Sequence, residues 1–254
     1  PEKIVRSGEL YQHRFPAQVE PDVDMQIELL YEDAAFIVLN KPAPLPMHAG
    51  GRFHRNTLKY VLDALYHPQQ LRPSHRLDAN TTGTVVVART QYIARKIQTQ
   101  FARGEVEKLY LVRVQGHPAA DEFSCDAPIS AAAGELGSRS IDYDAGLAAR
   151  TEFRVQQRLE DGTTLLEARP LTGRTNQIRV HLWHLGLPVC GDPAYRVDKT
   201  LGDHQTRHID APPLCLHAWC VSFRHPVHGE QMTFTAPPPA WMNDGARAGN
   251  PVSR

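Results

Sequence analysis

A segment with a tight turn at its centre, residues 151–169, restricts the fold of this chain more than any other sequence feature. Two runs of strand length, Thr151 to Leu159 and Thr163 to Arg169, are separated by Asp161-Gly162. Such a pair between two runs indicates a β-hairpin, because glycine tolerates the positive φ angles of the turn. The segment therefore predicts two antiparallel strands.

Further strands and several helices are predicted around this hairpin. Residues 216–223 and 231–234 flank His228-Gly229 and predict a second hairpin. Short apolar runs at 35–39 and 84–88 predict buried strands, and capping threonines with apolar residues at helical spacing predict helices over 57–66, 91–103 and 175–186. This order of elements is typical of an α/β (α+β) domain with a mixed, mostly antiparallel sheet and flanking helices.

The chain divides into three parts by composition. Residues 1–30 are polar and acidic and are expected to form an N-terminal arm or the remnant of a preceding module. Residues 31–240 are expected to form the domain that carries the function, and residues 241–254 a flexible C-terminal tail. No run reaches the roughly 18 apolar residues of a membrane helix, and no signal sequence is visible, so a cytoplasmic protein is expected.

Four scattered cysteines, Cys125, Cys190, Cys215 and Cys220, do not form the pattern of a disulfide framework and are expected to be free thiols. Although histidines lie near the last two cysteines, the segment lacks the closely paired ligands of a zinc site. The sequence therefore predicts no metal.

The charge is unevenly distributed in a chain whose formal net charge is +0. Residues 1–40 carry three Lys or Arg against eight Asp or Glu, whereas residues 41–113 carry twelve against four. Residues 169–184 add three arginines and no acid. A basic face on a neutral protein can bind a phosphate backbone, although many of these cations are expected to be ordinary solvated residues.

Two loop segments hold the candidate functional residues. The first, His75-Arg76-Leu77-Asp78-Ala79-Asn80-Thr81-Thr82-Gly83, places a carboxylate beside a Thr-Thr-Gly turn. The second, residues 169–182, brings three arginines around one glycine at the start of a predicted helix. By themselves, Asp78 could be a turn residue or helix cap and the arginines a basic start of a helix. Their chemistry allows a phosphate-binding enzyme and specifies little more.

The order of these and other motifs resembles the RluA family of pseudouridine synthases. The matching motifs are His75-Arg76-Leu77-Asp78, Thr81-Thr82-Gly83, Lys108-Leu109-Tyr110 and the run from Arg169 to His181. The matching flanks are Asn40-Lys41-Pro42 with His48, Gly191-Asp192-Pro193 with Tyr195, and Leu216-His217-Ala218. The resemblance extends over residues 30–237 and implies the family's catalytic fold with a central cleft. The segment 48–57 is more similar to the subgroup that includes tRNA-modifying members.

The resemblance implies isomerisation of uridine to pseudouridine in structured RNA, transfer or ribosomal, by a monomer without a cofactor. It implies that Asp78 is the nucleophile, attacking either C6 of the base or C1′ of the ribose, and that Arg179 keeps this carboxylate ionised and oriented. It implies that Tyr110 stacks on the uracil and helps to remove the C5 proton. The target must be flipped out of the RNA. The residues expected to contact RNA are Arg76, which fills the vacated space or holds a phosphate, and the phosphate ligands Lys41, Arg55 and Arg174.

The sequence departs from the family pattern in three ways, of which the first two bear on substrate preference and the third on the source of RNA affinity. Ala79 stands where an Arg often follows the nucleophile, Asn176 stands where a His is frequent, and no small RNA-binding module is evident before residue 30. Two other functions remain open from the sequence: a catalytically idle RNA-binding or assembly factor of the same fold, and an enzyme acting on free nucleosides or nucleotides.

Overall fold

The computed structural model describes residues 19–134 and 137–242. Most of the predicted N-terminal arm and nearly all of the predicted C-terminal tail lie outside these residues. Within them, the strands are β1 (Glu28–Glu32), β2 (Phe36–Lys41), β3 (Arg72–Pro73), β4 (Thr82–Ala88), β5 (Glu107–Gln115), β6 (Glu122–Cys125), β7 (Thr151–Arg158), β8 (Thr163–Pro170), β9 (Leu216–Arg224) and β10 (Gln231–Thr235). The helices are α1 (Leu58–Leu65), α2 (Gln91–Ala102) and α3 (Gln177–His184), with a short 3₁₀ helix at Ala240–Met242.

The described strands form a single mixed sheet, as the sequence predicts. Its order is β1-β2-β4-β9-β5-β8-β7-β6, with β10 paired to β9 and β3 paired to β4. All pairs are antiparallel except β4 with β9. The predicted hairpin is β7–β8, turning at Asp161-Gly162, where Gly162 has φ +81°. Because β1 begins at Glu28, the expected boundary between arm and domain at residue 30 falls inside a strand.

Helices α1 and α2 cover opposite faces of the sheet around β2 and β4. Leu58 and Leu62 of α1 pack with Val85 and Val87, whereas Ile93 and Ile97 of α2 pack with Val86 and Ala88. Strand β4 is therefore buried on both faces, which explains its continuous apolar run. Both helices begin where predicted, because the side chains of Thr57 and Thr90 accept hydrogen bonds from the first-turn amides of Tyr60 and Ile93.

Helix α3 lies against the other half of the sheet. Ile178 and Leu182 pack with residues of β5, β7 and β8, including Phe153 and Leu166. No helix in the described part of the chain has the length and apolar character required to cross a membrane.

The central strand pair β4–β9 depends on a glycine. Gly83 has φ +111°, and a Cβ atom there would stand 2.2 Å from the carbonyl oxygen of Ala218. Only glycine allows this approach. The loop before β4, which contains Asp78, is consequently placed at the middle of the sheet.

Candidate active site

Asp78 lies on the loop between β3 and β4, and the backbone around it is held from three directions. The Leu45 amide donates to the carbonyl oxygen of Ala79 at 2.8 Å. The Asn80 side chain donates to the carbonyl of Gln205 at 2.7 Å and accepts from the Arg207 amide at 3.0 Å. The Asp78 side chain itself is 22% exposed, so the loop is fixed while the carboxylate remains accessible.

Arg179 on α3 joins two carboxylates. Its Nε and Nη2 donate to the two oxygens of Asp192 at 2.7 Å each, and its Nη1 donates to Asp78 Oδ2 at 3.2 Å. The guanidinium carbon also lies 4.9 Å from the ring centre of Tyr195. Burial would lower the pKa of Arg179, but Asp192 and then Asp78 outweigh that effect and raise it. Arg179 is therefore a permanent buried cation beside Asp78.

Asn176 completes the surroundings of Arg179. Its backbone has φ 57° at the start of α3, in the left-handed region that asparagine tolerates. Its Oδ1 accepts from Arg179 Nη1 at 3.1 Å, and its Nδ2 donates to the Tyr195 hydroxyl at 3.0 Å. Asn176 stands where the family frequently has a His, and its side-chain amide links Arg179 to Tyr195.

Tyr110 on β5 lines the same cleft as Asp78 and Arg179. Burial, and secondarily the charge of Asp78, raises the pKa of Tyr110, so its hydroxyl keeps its proton at neutral pH. The structure therefore brings together the three side chains that the sequence predicts as catalytic, although they come from positions 78, 110 and 179.

The cleft around these residues has a volume of about 540 Å³. Its lining includes His75 and Phe101, whose rings stack with centroids 4.7 Å apart. His75 Nε2 accepts from the Val86 amide at 3.0 Å, and burial followed by the charge of Lys108 lowers the pKa of His75 to about 4. His75 is thus a neutral wall residue at physiological pH. The volume is within the range of about 300–1,000 Å³ typical of small-ligand sites.

The four residues expected to contact RNA are placed differently. Arg76 and Arg174 are exposed at the cleft and line it. Arg55 is exposed outside the cleft lining, where its backbone amide binds the Glu20 carboxylate. Lys41, however, is 0% exposed.

The expectation that Lys41 contacts a phosphate therefore requires correction. Its Nζ donates to the carbonyl oxygens of Pro42, Leu45 and Ala79 at 2.9, 2.9 and 3.2 Å. These three bonds use all the donors of an ammonium group. Lys41 cannot reach RNA without breaking them, and its place beside Ala79 makes it a support of the Asp78 loop.

Two residues near Asp78 were not given roles by sequence reasoning. Asp192, which holds Arg179, is found in the Gly-Asp-Pro motif, and Lys108, which lines the cleft, is found in the Lys-x-Tyr motif. The two motifs indicated that these segments belong to the site, but not which side chains Asp192 and Lys108 contact. Within the described residues, no group of three or more His, Cys, Asp or Glu side chains could hold a metal.

Comparison with known proteins identifies the family. The family model of RNA pseudouridylate synthase matches residues 35–184. The dual-specificity RNA pseudouridine synthase RluA of Escherichia coli K12 is 34% identical over 219 residues, which cover 85% of this chain and 95% of that protein. This chain belongs to the RNA pseudouridylate synthase family. It is an isomerase of the RluA type that forms pseudouridine in RNA.

Other relatives of the synthase agree in sequence and fold. The human pseudouridylate synthase RPUSD2 is 36% identical over 188 residues, covering 73% of the synthase and 33% of the human protein. The solved structure of human RNA pseudouridylate synthase domain containing 1 has a TM-score of 0.65 and 26% identity, covering 84% of each chain. The solved structure of human RNA pseudouridylate synthase domain containing 4 has a TM-score of 0.68, covering 87% of the synthase and 92% of that chain. Its identity is 24%, so this likeness bears on the fold alone. The predicted fold class is confirmed.

Proposed function

We propose that the synthase isomerises a uridine flipped out of folded RNA, with Asp78 as the nucleophile. The observation that carries this assignment is the contact between Arg179 Nη1 and Asp78 Oδ2 inside the cleft. It keeps an accessible carboxylate beside a buried, permanent cation. A carboxylate in this setting can add to the nucleotide and later leave.

The reaction balances without any imported group. The bond between N1 and C1′ breaks, the uracil turns, and a bond between C5 and C1′ forms. The C5 proton is released and N1 gains one, so the product is an isomer of the substrate. The cleft keeps the detached uracil close to the ribose, which is the protein's main task beyond supplying the nucleophile.

Tyr110 is proposed to contact the uracil as a neutral phenol. Its raised pKa argues for a protonated hydroxyl that can donate a hydrogen bond, and against a phenolate that removes the C5 proton, while its ring offers a face on which the uracil can stack. Whether Asp78 attacks C6 or C1′, the aromatic ring limits the movement of the base.

Arg76 and Arg174, exposed along the cleft, are proposed to hold the RNA around the flipped nucleotide, and Arg55 to contact a more distant phosphate. Extruding a base costs roughly a few kcal/mol, which contacts of this kind can offset. Transfer or ribosomal RNA is the proposed substrate class, and the E. coli relative is named a dual-specificity RNA pseudouridine synthase. We also propose a monomer in the cytoplasm, a reducing compartment in which the four cysteines stay free thiols.

Tritium release tests this assignment. The synthase is incubated with transfer RNA, ribosomal RNA and free uridine, each labelled with tritium at C5 of uridine. We expect release from at least one RNA and none from free uridine, and mapping of the product then identifies the position. Absence of release from both RNA classes, or equal release from free uridine, would overturn the proposal.

A further inference from the structure

The synthase contains two buried or partly buried lysines near the catalytic loop that differ in how their ammonium groups are satisfied. Lys41 is fully buried and uses its three donors on three carbonyl oxygens. Lys108 is partly buried in the cleft wall and, among the described residues, donates to one acceptor, the carbonyl oxygen of Thr172, at 2.9 Å. Lys108 therefore has donors left for a ligand.

No carboxylate compensates the charge of Lys108. Among the residues that the structure describes, Lys108 forms no ion pair. Burial lowers the pKa of Lys108 to about 8, so removal from water is a real cost to this cation. Partly buried charges are normally paired, and an uncompensated one in a cleft indicates a place for an anion.

The position of Lys108 relative to the catalytic residues limits what that anion can be. Lys108 and Tyr110 are two residues apart on β5, so their side chains leave the same face of the strand roughly 7 Å apart. Tyr110 and Asp78 contact the base and ribose in the proposed mechanism. Lys108 lines the same cleft as Asp78, Tyr110 and the stacked rings of His75 and Phe101. The uracil and the ribose of the substrate carry no charge, so the anionic part of the substrate is its phosphodiester backbone.

We propose that Lys108 binds a phosphodiester adjoining the flipped uridine, forming an anion subsite within the catalytic cleft. The inference rests on the proposed function, since it takes the flipped nucleotide as the occupant of the cleft. A compact ammonium suits a single phosphate oxygen, and the weakly polar surroundings strengthen the attraction. The subsite fixes the ribose relative to Asp78 by holding its neighbouring linkage.

A cycle of protein and RNA changes tests the subsite. The RNA is a hairpin carrying the uridine mapped in the tritium experiment, with the linkage on its 5′ or 3′ side made normally or as a neutral methylphosphonate. Wild type, Lys108→Met and Lys59→Met are compared by equilibrium binding and single-turnover isomerisation. Lys59 is a matched control because it pairs with Asp63 on α1, outside the cleft lining.

We expect Lys108→Met to weaken binding of the normal RNA about ten-fold or more, and a methylphosphonate at one of the two linkages to weaken wild-type binding similarly. Lys108→Met combined with that methylphosphonate should weaken binding no more than either change alone. In Lys59→Met, the methylphosphonate should still weaken binding as it does in wild type. Lys108→Gln is measured as a second variant, and thermal unfolding of both variants shows whether each remains folded.

The inference would be overturned if the losses of binding from Lys108→Met and from the methylphosphonate were additive at both linkages. It would also be overturned by a Lys108→Met variant that binds normally but reacts slowly, because it would place the ammonium on the uracil. Failure of the proposed function would appear earlier, as absence of tritium release from either RNA class, so additive effects on a hairpin that wild type does isomerise would overturn the subsite alone.

Discussion

Arg179 presents its bidentate face to Asp192 and only a single Nη1 contact to the proposed nucleophile. The two bonds to Asp192 measure 2.7 Å, against 3.2 Å for the bond to Asp78. Asp192 is in turn held by the amides of Ala194 and Tyr195. Arg179 therefore remains compensated in the proposed covalent step, in which Asp78 loses its charge. An arginine paired with Asp78 alone would be left as an isolated buried charge.

Arg179→Lys should lose the planar pairing with Asp192, since an ammonium cannot make the two parallel bonds. We expect single-turnover isomerisation to fall at least about ten-fold and the free energy of unfolding to fall by about 1–3 kcal/mol. Urea denaturation and single-turnover kinetics measure both. Arg158→Lys, at an exposed pair with Asp121 outside the cleft, is the control and should change neither. Normal activity of Arg179→Lys would refute the pairing.

Asp78→Asn should abolish isomerisation while leaving the protein folded. A loss on the order of a thousand-fold or more is expected, because the amide cannot act as the nucleophile. Since the side chain makes one 3.2 Å contact and is 22% exposed, the free energy of unfolding should change by only about 1 kcal/mol. Tritium release and urea denaturation are measured, with Asp63→Asn on α1 as the matched substitution. An unaltered rate in Asp78→Asn would exclude the mechanism.

Lys41→Met should act on stability rather than on RNA binding. It removes the donor to three carbonyl oxygens, so the free energy of unfolding is expected to fall by on the order of 3 kcal/mol, measured by urea denaturation. For protein that remains folded, the salt dependence of RNA binding should match that of wild type. A shallower salt dependence at unchanged stability would instead restore Lys41 as a phosphate ligand.

Arg174→Ala should weaken RNA binding with little effect on catalysis once RNA is bound. Removing one phosphate contact should reduce the slope of log binding constant against log salt by about one. Filter binding at several salt concentrations measures the slope, and single-turnover rates at saturating enzyme measure catalysis. Arg158→Ala is the control. An unchanged slope for Arg174→Ala would remove Arg174 from the RNA interface.

His217 should make the protein less stable as the solution becomes acidic. Burial lowers the pKa of His217 from 6.5 to about 4, and its Nδ1 lies 2.7 Å from Thr82 Oγ1. Below pH 6.5 His217 binds a proton in the unfolded chain, whereas in the folded protein it stays neutral until about pH 4. Stability is thus fully present above pH 6.5 and is lost as the pH falls towards 4, by up to about 1.4 kcal/mol per unit.

The variant His217→Gln should reduce this dependence rather than abolish it, because His75, whose pKa is also lowered to about 4, contributes another part of it. Urea denaturation between pH 7 and 4.5 gives the free energy of unfolding for wild type, His217→Gln and His54→Gln, the last replacing an exposed histidine. A slope for His217→Gln equal to those of wild type and His54→Gln would show that His217 is not the group responsible.

Local pattern explains which elements were predicted well. Strand β4 and the hairpin β7–β8 have the composition and turn chemistry of strands, and α1 and α2 have threonine caps, so each is encoded within a few residues. Strands β1, β3 and β6 were not predicted, because they are short and lie beside or outside the central strands. Their existence depends on the partner strand more than on their own side chains.

The sequence by itself determined the family and the reaction and predicted three catalytic residues, because ordered motifs are a property of the chain. Only the tertiary structure decided what each charged side chain does. Lys41 and Lys108 are both lysines in family motifs, yet one is enclosed by carbonyl oxygens and the other faces the cleft. The role of a charge depends on burial and on neighbours distant in sequence, such as Asp192 for Arg179, and these arise only when the sheet is assembled.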